Sequence, residues 1–194
     1  METQLKLHSE NTSSVTLLGL PDNDRKLIES CLRGECDAQR NLYDRFCERV
    51  YRLMFRMVGS THADDLTQQV FICIFRKLAM FHGRSLFSTW LYRVATNEAL
   101  QFLRRPSHDA QMSIRCEVAD TRPSATEQVE MRDVLDYALS QLDVDHRAVF
   151  LLRESEGLSY YDIAIALDIA EGTVASRLHR ARRYLRAEIT SQSI

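Results

Sequence analysis

The chain has 194 residues, 45% of them apolar, enough for one ordinary core or two small ones and too much for a chain disordered throughout. Lys and Arg number 25 against 27 Asp and Glu, so the molecule is not a polycation that coats nucleic acid, and any attraction to phosphate must be local. No run of about 18 apolar residues occurs, and the opening METQLKLHSENTSS lacks an apolar core, which argues against membrane insertion and secretion and for a cytoplasmic protein.

Residues 1–21 are polar and weakly patterned, a leader. Residues 22–33 predict a short helix closed by Gly34. From Asp37, a capping residue, Leu42, Phe46, Val50, Leu53, Met54 and Met57 recur mostly at three and four, predicting a long helix stopped by Gly59. Residues 63–80 repeat the pattern on Leu66, Val70, Ile74 and Leu78. FHGRSLF, residues 81–87, breaks the period as a loop. Ser88 or Thr89 then starts a helix through Arg105, ended by Pro106. The five cysteines, at 31, 36, 47, 73 and 116, are an odd number on helical ground, which fits a reducing compartment better than a disulfide framework. Cys31, Cys36, Cys47 and His62 contain no close Cys-x-x-Cys pair, so no metal is expected.

Residues 107–125 turn polar, with Pro106 and Pro123 at their margins, and read as a flexible linker. A second domain follows over 126–194, with helices over 127–141, 145–154, 160–167 and 172–188. The expected fold is therefore all-α: two small helical domains joined by a flexible linker. Charge in the second domain is polarised. Glu127, Glu130, Asp133, Asp136, Asp143 and Asp145 precede an arginine-rich stretch, residues 177–186, and this polarity would orient the domain on DNA.

The end of that domain is the most specific pattern in the chain. Ser159 followed by Asp162 resembles a capping box, Ile163, Ala164 and Leu167 share one helical face, and Ile169 lies in a short connection before Gly172 and Thr173 open the next helix. There Val174, Leu178, Ala181 and Leu185 make one apolar seam, leaving Ser176, Arg177, Arg180 and Arg183 outward, side chains that suit phosphates and purine edges. Two short helices and a tight turn have the geometry of a helix-turn-helix. A basic helical face alone is as often merely solvated.

Phe81, Phe87, Trp90 and Tyr92 interleave with Lys77, His82, Arg84, Arg93, Arg104 and Arg105, the mixture that holds unstacked bases, although Phe87 and Tyr92 fit a core equally. FHGRSLFSTWLYRVATN closely resembles the promoter-melting segment of the extracytoplasmic-function (ECF) sigma factors of bacterial RNA polymerase. GECDAQRNLYDRFCERVYRL is similar to the start of their first conserved domain, ADDLTQQVFICIFRKL to their polymerase-docking helix, and LDVDHRAVFLLRESEGLSYYDIAIALDIAEGTVASRLHRARRYL to their promoter-reading second domain. The resemblance spans residues 22–106 and 127–188. It implies contacts to minus-thirty-five duplex by Arg153, Tyr160, Tyr161, Thr173, Ser176, Arg177, His179, Arg180 and Arg183, and to the minus-ten element by Lys77, Phe81, Trp90, Arg93 and Asn97. Asp65, Leu66, Gln68 and Phe71 would meet the polymerase clamp. The implied partners are core RNA polymerase, promoter DNA and an anti-sigma factor, with no cofactor and no catalytic residue.

The chain departs from the family pattern in three places: Gln69 replaces a common acid, Ala170 a common proline and Ala175 a common cation. A stand-alone helix-turn-helix regulator would explain the second domain but not the loop at 81–97. Asp64 and Asp65 offer little to hydrolysis, because adjacent helical residues point about 100° apart.

Overall fold

The computed structural model describes residues 22–105 and 126–192, all in helices and their connections. The proposed leader and linker lie outside the described residues. In the first bundle, α1 (Asp22–Leu32) meets α2 (Cys36–Val58) through Gly34, whose φ of 80° only glycine adopts without strain. The α2 stripe expected to be apolar, from Leu42 to Met57, is buried throughout. Gly59 (φ 85°) donates its N–H to Phe55 O, stops α2, and leads straight into α3 (Ser60–Lys77). A 3-10 turn over Leu78–Met80 separates α3 from the loop, where the sequence predicts one continuous helix, and α4 spans Phe87–Arg104. Neither expected N-cap acts as one: α2 starts at Cys36 with Asp37 already in its first turn, and α4 starts at Phe87, ahead of Ser88 and Thr89.

The second bundle holds α5 (Thr126–Gln141), α6 (Val144–Glu154), α7 (Tyr160–Leu167) and α8 (Glu171–Gln192). Asp143 caps α6, its carboxylate accepting the N–H groups of Asp145 at 3.0 Å and His146 at 3.4 Å. Gly157 (φ 70°) turns the chain between α6 and α7 and lets Leu158 plug the core while its N–H reaches Leu152 O.

Two helical bundles match the expected architecture, but they are not held apart. Helix α4 lies against α7, α2 lies against α5 and α6, and the buried side chains of both bundles form one contiguous cluster. Arg147 of α6 is 3% exposed and donates across the junction to Met57 O at 2.8 Å. Among the described residues no helix is long and apolar enough to cross a membrane.

Candidate nucleic-acid interface

The capping pattern at residue 159 fixes the start of the motif. Ser159 Oγ accepts the Asp162 N–H at 3.0 Å and donates to its carboxylate at 2.5 Å. Helix α7 ends at Asp168, which sits in the left-handed region (φ 54°) that short polar residues tolerate, and Ile169 N–H closes back on Ala164 O. Three residues later α8 begins, so α7 and α8 meet through a tight corner. Val174, Leu178, Ala181 and Leu185 are all buried, as their spacing predicts.

With that seam inward, Ser176, His179, Arg180 and Arg183 are exposed along the other side of α8, and Tyr161 is exposed at the start of α7. Ser176 Oγ donates back to Thr173 O at 3.0 Å, while Thr173 itself is half-buried. Two expected contacts are engaged elsewhere. Arg177 is half-buried, its Nη2 2.9 Å from Asp145 Oδ2. Arg153 donates to Leu158 O at 2.7 Å with its guanidinium 5.3 Å above the Tyr160 ring, so this pair braces the turn into α7. Arg182, not singled out from the sequence, is paired with Glu154 at 3.1 Å.

In the loop before α4, Phe81 is 2% exposed, not presented to solvent. Its ring lies 5.4 Å from those of Phe87 and Trp90, and Phe46 of α2 completes the cluster at 5.6 Å from Phe87. An aromatic ring with two aromatic neighbours is more stable inside than in water, so in this structure Phe81 is packed in the core and not presented for stacking on a base. Trp90 and Asn97 are half-buried; Lys77 and Arg93 are exposed. Lys77 Nζ lies 3.7 Å from Glu98, whose Oε1 also receives the Cys73 thiol at 3.1 Å. Contact with Cys73 and then Glu98 holds the Lys77 ammonium above its ordinary value, so it stays charged. Met80 and Leu86, exposed at either side of the loop, were not expected from the sequence; the only available signal was an apolar side chain next to a break in periodicity.

The polymerase set also divides. Asp65 and Gln68 are exposed on α3, but Leu66 and Phe71 are each 3% exposed, Phe71 packing its ring 4.6 Å from Tyr43. Both side chains are thus turned into the core of the first bundle and are not presented on the α3 surface. Ile72, beside Phe71, is exposed and went unnoticed in the sequence.

Known proteins match this arrangement. The family described as Sigma-70 region 2 matches residues 42–108, and Sigma-70, region 4 matches residues 132–185. The chain is 30% identical over 181 residues to the ECF RNA polymerase sigma factor SigW of Bacillus subtilis, covering 85% of this chain and 96% of that one. It is 35% identical over 172 residues to the ECF RNA polymerase sigma-E factor of Escherichia coli, covering 82% and 90%. Among solved structures it is similar in fold to the sigma factor RpoE of Bartonella quintana, crystallised with the anti-sigma factor NepR. The TM-score is 0.66 at 24% identity, over 78% of this chain and 96% of that one.

Proposed function

The chain belongs to the ECF RNA polymerase sigma factors, and from that premise we propose how its side chains share the work. It binds core RNA polymerase, directs it to specific promoters and starts transcription; the polymerase performs the chemistry, and no residue of this chain is assigned a catalytic part. Helix α8 reads the minus-thirty-five duplex through Ser176, His179, Arg180 and Arg183, with Tyr161 and Thr173 at the edge of the contact. Arg177 joins once freed from Asp145, and Arg153 and Tyr160 hold the motif in shape. At the minus-ten element Lys77 and Arg93 meet phosphates, Trp90 and Asn97 meet bases, and Phe81 anchors the loop. Asp65 and Gln68 contact the polymerase clamp. The chain works beside the polymerase in the cytoplasm, and an anti-sigma factor is its expected inhibitor.

The observation that supports this reading best is the exposed row Ser176, His179, Arg180 and Arg183 opposite a fully buried seam, presented from a tight corner. Transcription by core polymerase supplemented with the full chain tests it. Arg180→Ala should weaken promoter use by about 1–3 kcal/mol, at one base pair if the guanidinium binds a guanine edge and at all sequences alike if it binds phosphate. Unchanged promoter use would remove Arg180 from the interface.

A further inference from the structure

Beside the minus-ten loop, three side chains form a cluster of which the family resemblance accounts only for Lys77. Cys73 and Lys77 lie four residues apart on α3, hence on one face of it, and Lys77 is the last residue of that helix before the turn into the loop. Glu98 of α4, next to Asn97, answers both: its Oε1 accepts the Cys73 thiol at 3.1 Å and lies 3.7 Å from Lys77 Nζ. Burial, and after it the Glu98 carboxylate, pushes the thiol above its ordinary value, so Cys73 stays protonated and serves as a donor, not as a nucleophile. The ammonium contact is longer than a hydrogen bond, so the N–H groups of Lys77 remain available while its charge is held in place. The Glu98 side chain is 12% exposed and that of Lys77 49%, which sets the anion back and the cation forward.

We propose that Glu98 is a positioning residue for promoter recognition: it fixes the Lys77 ammonium toward the minus-ten backbone, and the Cys73 thiol keeps the carboxylate turned to that task. The inference rests on the phosphate contact given above to Lys77. A free lysine at a helix end explores many rotamers, whereas one already held across to the next helix meets a phosphate with less freedom left to lose. The tie also joins the end of α3 to α4, so that Lys77, ahead of the loop, keeps a set spacing from Arg93 and Asn97 behind it. By charge alone a carboxylate near DNA repels it, so positioning acts with the opposite sign from plain electrostatics.

The test uses holoenzyme assembled from core polymerase and the full chain. The probe is a fluorescent promoter fragment premelted over the minus-ten element, taken from a promoter that wild-type holoenzyme transcribes out of a genomic library. Glu98→Gln keeps the shape of the side chain and removes its charge. It should weaken binding about two- to fivefold, the scale of a partly exposed ion pair, although it deletes an anion beside DNA. Lys77→Ala should weaken binding by at least as much, and adding Glu98→Gln to it should change nothing further. Cys73→Ala should show part of the Glu98→Gln loss, and Cys73→Ser, which keeps a donor, should restore wild-type affinity. Equal or tighter binding by Glu98→Gln overturns the positioning role. So does a loss that persists in full in the Lys77→Ala background, because it then passes through the fold and not through the ammonium. Cys73→Ala indistinguishable from Cys73→Ser overturns the part given to the thiol. Unchanged binding by Lys77→Ala alone would instead overturn the phosphate contact on which the inference rests.

Discussion

Replacing Arg147 by alanine should cost the protein about 3–5 kcal/mol, the scale for breaking a buried charged network. The guanidinium donates to three carbonyls: Met57 O at 2.8 Å, Ser140 O at 2.6 Å and Leu142 O at 2.9 Å. Met57 lies in the last turn of α2 and Ser140 in the last turn of α5, where carbonyls have no intrahelical donor. One cation therefore caps two helices, one from each bundle, and sits at the negative end of both dipoles. Alanine would strip all three acceptors, at about 1–3 kcal/mol for each that water cannot reach. Water entering the vacated space offsets part of that, which keeps the sum near the network value. Against a total stability of about 5–15 kcal/mol this is a large share. Urea unfolding of the full chain followed by circular dichroism should show a lower midpoint. Arg147→Lys, which keeps the charge but not the planar fork, should fall between the two. A loss below about 1 kcal/mol in Arg147→Ala would refute the account of Arg147 as a shared cap.

Asp143→Ala should destabilise by about 0.5–2 kcal/mol, because α6 loses its N-cap. Burial pushes the Asp143 carboxyl up, but hydrogen bonds from the Asp145 N–H and from His146 hold it below its ordinary value. A carboxyl lower in the folded than in the unfolded state stabilises above the unfolded value, about pH 4, so the gap between wild type and variant should close as pH falls below that in urea titrations. Phe81→Ala should cost about 3–5 kcal/mol in the same titrations, whereas Asn97→Ala should leave the midpoint almost unchanged and still reduce permanganate reactivity of promoter DNA opened with core polymerase. Leu66→Asp, which places a carboxylate at a buried site, should lower the thermal midpoint, while Gln68→Ala should weaken co-purification with core polymerase at an unchanged one.

The reading motif was legible because its signals are local. The repeat of Val174, Leu178, Ala181 and Leu185 and the pair Ser159 and Asp162 each specify their surroundings within a few residues, and the folded chain buries the first set and hydrogen-bonds the second. The orientation of Phe81 was not legible, because it is set by Phe87 and Trp90 across the loop, and Phe87 is itself packed on Phe46, far upstream on α2. Leu66 is an instructive contrast. Its own spacing with Val70 and Ile74 already placed it in an inward seam, and the family resemblance, which carries a role but no side-chain direction, drew it outward. The acids at Asp136 and Asp145 stand out in the sequence only as charge before α8; that Arg56 and Arg104 would answer them is a property of tertiary packing.

The aromatic anchors Phe81 and Phe87 bracket a loop of only five residues, 82–86, and both rings belong to the first bundle's core. Fraying this loop by itself would mean pulling large aromatic side chains into water, so it shares the cooperative unit of the helices beneath it. Its amides should exchange with deuterium at the pace of the whole bundle's opening wherever they are protected at all, and a denaturant too weak to unfold α2 should leave the loop in shape. If the proposed role of this loop in opening DNA holds, the loop is a stiff tool rather than a flexible one, and its ordering entropy is settled when the protein folds instead of when a base is captured.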